Sequence, residues 1–411
     1  MSLDSNYRQD ETQLFGFNIT LPGGTGTFDN SDVLSFYFIE DIFSFSMVGK
    51  ITILDKYGML EHGPLVGGEK ITVTYGESAK EQELFIYKIA KVAEYVLPNM
   101  YGANVLDLVL VDKYFPLLTQ KRYSYSWDNE KIGDVIKKIA TDILKVDSFK
   151  EFEDPREKIS FCMPYWTAGE TLKWLMKRCS SKETDCPGYL LYNSTNGVNF
   201  TTLEKLMQNK DKDPNIYLFE DKSQFYLNKI ISWSHSGMDS HGLQDIAGSY
   251  RVGYDPMQKK LLFNNYKYSD AIKKFTMLGK KTLFSSDIDE TQIRYKYEAE
   301  TDPKVLDNIY HNDFIKRYST QHTFSLTVKG SENRYAGQMI EVEWPSTFDE
   351  EKYNRGYAGK YLVKSVTHGF SAAKKPTFTQ KLVVIKNGYE DNDSDVEGSA
   401  KTNLDNLTLG S

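Results

Sequence analysis

Apolar and polar residues alternate with a period of two along most of the chain, and that period predicts strands. In the stretch 14–21, Phe15, Phe17, Ile19 and Leu21 share one face. The stretches 33–39 and 45–54 read as strands too, the second interrupted by Met47, Lys50 and Thr52. In 69–75 the alternation is clean: Ile71, Val73 and Tyr75 point one way, Lys70, Thr72 and Thr74 the other. Strands at 84–96 and 105–111 complete a first antiparallel set, with turns at Gly67-Gly68 and Pro98-Asn99. The set is long enough to close into a small barrel, which removes exposed strand edges.

The period then changes. Ile132, Val135, Ile136, Ile139 and Ile143 recur at helical spacing, so a helix is predicted over 129–144, capped by Asp128 with Glu130 in its first turn. Thr167 and Glu170 form a T-x-x-E capping box for a second helix, with Leu172, Leu175, Met176 and Cys179 on its buried face. A hairpin turning at Asn196-Gly197 joins 189–191 to 198–202. Strands return at 216–219, 225–233, 248–254 and 260–264. Asp302-Pro303 opens a third helix with Val305, Leu306, Ile309 and Tyr310 as its apolar stripe. The last strands are predicted at 322–328, 340–344, 361–366 and 378–385. Beyond Gly388 the chain is rich in Asp, Asn, Ser and Gly, the composition of a flexible tail.

One pattern occurs twice. Gly68-Glu69-Lys70-Ile71-Thr72-Val73-Thr74-Tyr75 and Gly337-Gln338-Met339-Ile340-Glu341-Val342-Glu343-Trp344 both read Gly, polar, x, Ile, polar, Val, polar, aromatic. Each is followed by a comparable strand, Phe85-Ile86-Tyr87-Lys88-Ile89 in one and Tyr361-Leu362-Val363-Lys364-Ser365 in the other, and then by an apolar strand. The repetition predicts two related barrels separated by an insert. Three such chains in a ring would present six similar barrels, which lets a threefold object sit on a sixfold one.

The composition supports the β reading: 28 Tyr and 23 Phe favour strands. A net charge of −7 argues against a protein that grips phosphates, while permitting a channel that DNA only crosses. The three cysteines, Cys162, Cys179 and Cys186, lack CxxC spacing and are expected to be reduced. The polar first ten residues predict no signal peptide, and no stretch approaches the ~20 apolar residues of a membrane helix, so no stable membrane insertion is expected.

The segment 330–345, ending Gly337-x-x-Ile340-x-Val342-x-Trp344-Pro345, resembles the strand-turn-strand of phage tail hub proteins. The run Gly359-Lys360-Tyr361-Leu362-Val363-Lys364-Ser365-Val366-Thr367-His368 is similar to their G-x-Y-x-V-x-x-V-x-H strand. Pro164-Tyr165-Trp166-Thr167, continuing to Leu172-Lys173-Trp174-Leu175 and Arg178, resembles the aromatic-rich helix of their insert, and Tyr123-Ser124-Tyr125-Ser126-Trp127 also fits. The resemblance is to the baseplate hub of contractile-tailed phages and, more distantly, to the N-terminal part of type VI secretion spike proteins. It covers residues 15–387, and the order of its motifs carries the weight. It implies a trimeric ring of two tube-like barrels per chain, one face against the tail tube and the other against the spike. Secretion spikes continue into an OB-like domain and a β-helical needle; this sequence ends at Ser411, so the spike is expected to be a separate protein.

Catalytic chemistry is not legible. Of His62, His235, His241, His311, His322 and His368, none forms HExxH or stands near a cysteine at zinc spacing. His235 and His241 with Asp239 and Asp245 come nearest to a metal cluster, but 234–245 reads as a polar loop. Gly23-Gly24-Thr25-Gly26 lacks the Lys-Ser/Thr of a phosphate loop and reads as a turn, and GxSxG is missing. Acidic residues lie in surface-like runs such as Asp349-Glu350-Glu351-Lys352. His368 is expected to be structural. Trp166 and Trp174 are expected to anchor the insert, and Trp233 and Trp344 to pack inside the second barrel, with a subunit interface as the alternative.

The expectation is therefore a mainly β (α+β) fold: a first tube-like barrel at 1–112, an α+β insert at 113–215 that extends to about 255–318, a second barrel from 216–254 with 319–388, and a tail at 389–411. The implied function is a non-enzymatic hub in the virion's tail baseplate, assembled in the host cytoplasm, without catalytic, cofactor or metal residues. Its implied partners are two further copies in a homotrimer, the tail tube protein, a central spike protein with or without a lysozyme domain, and other baseplate proteins, with DNA in transit. Leu404, Leu407 and Leu409 are the candidate partner-binding residues of the tail. The competing readings are the hub of a secretion or bacteriocin-like injector, a cell-wall-degrading enzyme, and a host-binding adhesin.

Overall fold

A computed structural model describes residues 15–21, 24–28, 32–56, 58, 65–76, 78–95, 103–208, 215–219, 228–238, 248–255, 257–278, 294–297, 302–344, 357–371 and 377–388. The first part holds β1 (Phe15–Leu21), β2 (Gly24–Phe28), β3 (Val33–Asp41), β4 (Val48–Asp55), β5 (Lys70–Tyr75), β6 (Lys80–Tyr95) and β7 (Ala103–Val111). Gly24, Thr25 and Gly26, expected in a turn, lie instead in β2, paired antiparallel with β1.

The middle part contains α1 (Tyr114–Thr119), β8 (Arg122–Tyr123), β9 (Ser126–Lys131), α2 (Ile132–Lys138), β10 (Phe149–Phe152), β11 (Lys158–Cys162), β12 (Trp166–Thr167), α3 (Ala168–Met176), β13 (Tyr189–Ser194), β14 (Gly197–Thr202) and α4 (Leu203–Gln208). The helix expected from Asn129 starts three residues later, because 126–131 pairs with β11 as a strand. Asp128 does not cap it; its carboxylate accepts a hydrogen bond from Ser160 Oγ at 2.7 Å. The five isoleucine and valine positions are nonetheless buried, the last two in a π-helical turn, Ile139–Ile143, that continues α2. The capping box forms as read: Glu170 N donates to Thr167 Oγ1 at 3.2 Å, and Thr167 N donates back to Glu170 Oε2 at 2.8 Å. Replacing Thr167 by alanine is expected to cost about 1 kcal/mol, measured by urea unfolding. A loss indistinguishable from zero would mean that α3 is held by its packing alone.

The last part contains β15 (Asn215–Tyr217), β16 (Ile230–Met238), β17 (Gly248–Asp255), β18 (Lys260–Lys267), α5 (Tyr268–Ala271), β19 (Arg294–Tyr297), α6 (Pro303–Ser319), β20 (His322–Lys329), β21 (Met339–Val342), β22 (Gly359–Ser371) and β23 (Thr377–Lys386). Asp302 caps α6 by accepting from Lys304 N at 2.9 Å, with Pro303 at the first helical position. The stretch 248–254, expected in the second barrel, pairs with β18 and β19 in a separate three-stranded sheet. Residues 234–238, expected in a loop, belong to β16. Among the described residues no helix is long and apolar enough to cross a membrane.

The fold is mainly β with an α+β middle, and one thirteen-stranded sheet dominates it. Its path, β16-β20-β23-β22-β3-β4-β7-β6-β5-β1-β2, contains the same five-strand order twice. In the first unit the order is β3-β4-β7-β6-β5; in the second it is β16-β20-β23-β22-β21. The correspondence reaches single hydrogen bonds. Gly68 N donates to Ile86 O at 2.7 Å and Ile86 N to Glu69 O at 2.9 Å; Gly337 N donates to Val363 O at 2.8 Å and Val363 N to Gln338 O at 2.9 Å. Both glycines hold a positive φ, +90° and +93°, which a side chain disfavours. β-bulges recur at matching places: Tyr87 on β6 and Lys364 on β22, Leu34 on β3 and Ile231 on β16. The bulges also correct the alignment of the repeat. Leu84 pairs with Ile71 as Tyr361 pairs with Ile340, so Leu84, not Phe85, corresponds to Tyr361.

Each unit has its own core. The first gathers Phe36, Phe38, Ile51, Ile71, Val73, Tyr75, Leu84 and Leu108; the second gathers Phe324, Leu326, Ile340, Val342, Trp344, Val363 and Val384. Each such buried side chain contributes roughly 1.5–3 kcal/mol. Trp344 packs inside as expected, but Trp233 is 50% exposed, because β16 is the edge of the sheet and nothing described covers its outer side.

Candidate functional site

The feature that distinguishes this molecule from two unconnected sheets is the seam between its units. β22 is long enough to serve two partners. Its first half pairs with β21 inside the second unit, and its second half, from Ser365 to Ser371, pairs antiparallel with β3 of the first.

Where β3, β22 and β23 run together at the seam, the inward positions are apolar except for three polar residues in contact. On β3, Phe36 and Phe38 are followed by Glu40; on β22, Val366 is followed by His368; on β23, Gln380 stands between Phe378 and Leu382. All three polar residues are 0% exposed. Glu40 Oε1 accepts from His368 Nε2 at 3.1 Å and from Ala336 N at 3.2 Å, and Oε2 accepts from Thr195 N at 2.6 Å. Gln380 Oε1 accepts from Ser331 N at 3.0 Å and Arg334 Nη1 at 2.8 Å, which turns its amide nitrogen toward His368 Nδ1, 3.0 Å away. Nδ1 is thus an acceptor, and the ring proton sits on Nε2, facing Glu40. The buried Arg334 continues the chain, donating from Nε to Tyr217 Oη at 2.8 Å and from Nη2 to Asn228 Oδ1 at 3.0 Å. The imidazole lies flat on Phe38, ring centroids 4.3 Å apart.

These groups join three parts of the chain. Glu40 comes from the first unit, His368, Gln380 and Arg334 from the second, and Thr195 from the tip of the β13–β14 hairpin of the insert. The hairpin is anchored at two further points. Tyr192 packs on Gly337, where an added Cβ would lie 2.3 Å from its hydroxyl. Asn193 N donates to Phe45 O at 3.1 Å, and Asn193 Nδ2 to Asp112 Oδ2, also at 3.1 Å. Asp112, where the first unit meets the insert, also takes Ser46 Oγ at 2.6 Å and Met47 N at 3.0 Å. Burial pushes its carboxyl up while these bonds pull it down.

The electrostatics are those of a closed structural joint. Burial raises the Tyr75 phenol beyond its ordinary range, and the nearby Glu40 and Glu332 charges add to the rise. Burial likewise raises Tyr217, offset by the Arg334 guanidinium. Lys80, which donates to Glu332 O at 3.3 Å across the seam, is lowered by burial and raised in part by Glu40 and Glu332. Glu40, His368, Gln380 and Arg334 each meet another protein group, while the Tyr75 hydroxyl is buried without a hydrogen bond beside them; a polar network paired to this extent rigidifies its surroundings.

Two other surfaces stand out. A cleft of about 620 Å³ opens between the 42–46 link, α1, α3 and β13, and its lining includes Leu118, Leu172 and Leu190 as well as Lys173, Lys177 and Lys316. On the insert, Trp127, Phe161 and Trp174 form a ladder, with ring centroids 6.1 and 4.4 Å apart. Trp166 meets Trp174 edge-on at 6.1 Å. Trp174 packs partly buried against the insert's core, as expected of an anchor.

The residues singled out from sequence are placed unevenly. Leu404, Leu407 and Leu409 lie outside the described residues, as do His62, Asp239, His241, Asp245, Pro98-Asn99 and 349–352. His235 lies on β16 with its ring 4.5 Å from that of Phe324. Among the described residues no group of three or more His, Cys, Asp or Glu could hold a metal ion. Glu40, Gln380 and Arg334 were missed. The signal for Glu40 and Gln380 was a polar residue at an inward step of an otherwise apolar alternation; Arg334 lies in the connection between β20 and β21, where no such period exists.

No protein-family model matches the chain, and no curated protein matches it. Solved structures do. A tail protein from Neisseria meningitidis MC58 superposes with a TM-score of 0.57 at 11% identity over 90% of this chain and 96% of that one. The 43 kDa tail protein of prophage MuSo2 from Shewanella oneidensis gives 0.56 at 11% identity, over 91% and 99%. A chain of the half-lidded Francisella PdpA–VgrG complex gives 0.51 at 10% identity, with 93% of this chain spanning 60% of that longer one. The doubled five-strand unit, its seam and the wedged insert thus belong to a fold that this chain shares with these two tail proteins.

Proposed function

We propose that the chain is the hub of a tail baseplate, in which three copies form a ring of six β units between a sixfold tube and a threefold spike. The observation that carries this reading is the duplication: one polypeptide holds two units with the same strand order, the same bulges and the same paired glycine bonds. Two units fused in one chain allow threefold symmetry to imitate sixfold symmetry, since a ring needs one surface relationship repeated around its axis. In this reading the first unit ends at Asp112. The insert is 113–215 with the separate sheet and α6, and the second unit is 216–238 with 319–388. The role is mechanical, without catalysis or cofactor. The ring holds tube and spike together in the virion, other baseplate proteins dock outside it, and DNA passes through.

A second reading, the hub of a secretion injector, is favoured by the likeness to the Francisella complex. Both readings require the same ring. Light scattering on the purified protein, alone and with its spike, is expected to give the mass of a trimer. A stable monomer under both conditions overturns the proposal.

A further inference from the structure

The cleft between the 42–46 link, α1, α3 and β13 combines an apolar lining with an unbalanced positive charge. Leu118, Leu172 and Leu190, each buried, line it together with Arg122, Glu170, Lys173, Lys177 and Lys316. The one carboxylate in that set is already engaged: Glu170 Oε2 accepts from Thr167 N at 2.8 Å and lies 3.9 Å from Arg122 Nη1. Among the described residues no carboxylate comes within ion-pair distance of Lys173, Lys177 or Lys316. Lys316, on α6, is half-buried; burial lowers its ammonium, Asp313 raises it in part, and Lys177 lowers it further. A cation drawn out of water without a partner is costly, and an arriving carboxylate removes that cost. A concave apolar lining with a few fixed charged groups suits a ligand that is apolar and acidic at once.

The chain itself carries such a segment. Residues 389–411, which lie outside the described residues, hold Glu390, Asp391, Asp393, Asp395, Glu397 and Asp405 against Lys401, a net −5 of the chain's −7. Leu404, Leu407 and Leu409 follow the acidic run. The first fourteen residues, also outside, match less well: Asp4, Asp10 and Glu11 against Arg8 leave −2. The starting point fits too. Ile385, three residues before Gly388, packs in one core cluster with Ile42 and Leu190, which both line the cleft. Extended, the 16 residues from Tyr389 to Leu404 span up to about 55 Å, so reach does not limit the contact.

We propose that residues 389–411 dock in the cleft of their own chain, with carboxylates on Lys173, Lys177 and Lys316 and leucines on the apolar lining. The contact ties the end of the second unit to the insert. It forms within one chain and is independent of the ring.

The test places the dye acrylodan on Thr408→Cys, between two of the leucines, in a Cys162→Ser background that removes the one exposed native thiol. In the whole chain the emission is expected to be shifted to the blue and the probe to tumble slowly, relative to the same dye on the isolated peptide 389–411. Lys173→Glu with Lys177→Glu, at two exposed positions, is expected to return both readouts to those of the peptide, as is Leu404→Ser with Leu407→Ser. Lys259→Glu with Lys260→Glu, also exposed but at the β17–β18 turn, leaves them unchanged. Lys177→Cys with Thr408→Cys in the same background is expected to close a disulfide inside one chain, seen on a non-reducing gel as a faster band. A probe as mobile as on the peptide, or an equal loss from the two lysine pairs, overturns the proposal. A disulfide that joins two copies overturns it as well, because the cleft then takes the segment of another chain.

Discussion

Glu40→Ala is expected to remove about 3–5 kcal/mol of stability, the cost of breaking one partner out of a buried charged network. The substitution leaves His368 Nε2–H, Thr195 N–H and Ala336 N–H facing a space that water does not reach. Each abandoned donor costs about 1–3 kcal/mol before the surroundings relax. Because the three donors come from two other parts of the chain, the loss should be cooperative: the insert and the second unit should loosen together. Urea unfolding followed by far-ultraviolet circular dichroism and by tryptophan fluorescence measures this. If Glu40→Ala unfolds at the wild-type urea concentration, the joint is ornamental. Glu40→Gln, which keeps an acceptor oxygen but faces one donor with another, should fall between the two.

Gly337→Ala and Gly68→Ala place the same substitution on equivalent backbone with different neighbours, and the first should be clearly worse. At Gly68 a Cβ would meet nothing within 4 Å, so the cost is that of the positive φ, about 1–3 kcal/mol. At Gly337 the φ is nearly the same, but the Cβ would lie 2.3 Å from Tyr192 Oη. Overpacking adds about 1–3 kcal/mol, because Tyr192 is buried and cannot swing away. Tyr192→Phe removes the offending oxygen and should recover part of the excess in Gly337→Ala while doing nothing for Gly68→Ala. Equal losses at the two glycines, or no rescue, would show that the hairpin does not bear on the second unit.

The repeat was legible because its strands bury one face. Lys70 to Tyr75 alternates in sequence and in burial alike, so period and outcome agree. What the pattern could not supply was register. The bulges at Tyr87 and Lys364 insert a residue without changing the look of the strand, and the correspondence of Tyr361 to Leu84 rather than Phe85 shows only in the pairing. The early helix start failed for a related reason. Asp128-Asn129-Glu130 has the chemistry of a cap, but pairing with β11 satisfies the same backbone, and Asn129 bends through φ +50° to allow it. The joint was the hardest part to foresee. Glu40 and His368 stand 328 residues apart, and a lone acid at an inward step says that a partner exists without saying where. Thr167 and Asp302 lie at the other extreme: their partners are two or three residues away, and both caps form where the local sequence puts them.

The two-partner strand gives the molecule a grain. Tension along β22 would strain the seven residue pairs from Ser365–Asp41 to Ser371–Ser35 together, as in a lap joint pulled in shear. Tension across the strand would part them one after another, as in a zipper opened from its end. The same bonds resist the first direction far better than the second. Which way a pull arrives, more than how many bonds oppose it, decides whether the two halves of the chain stay joined.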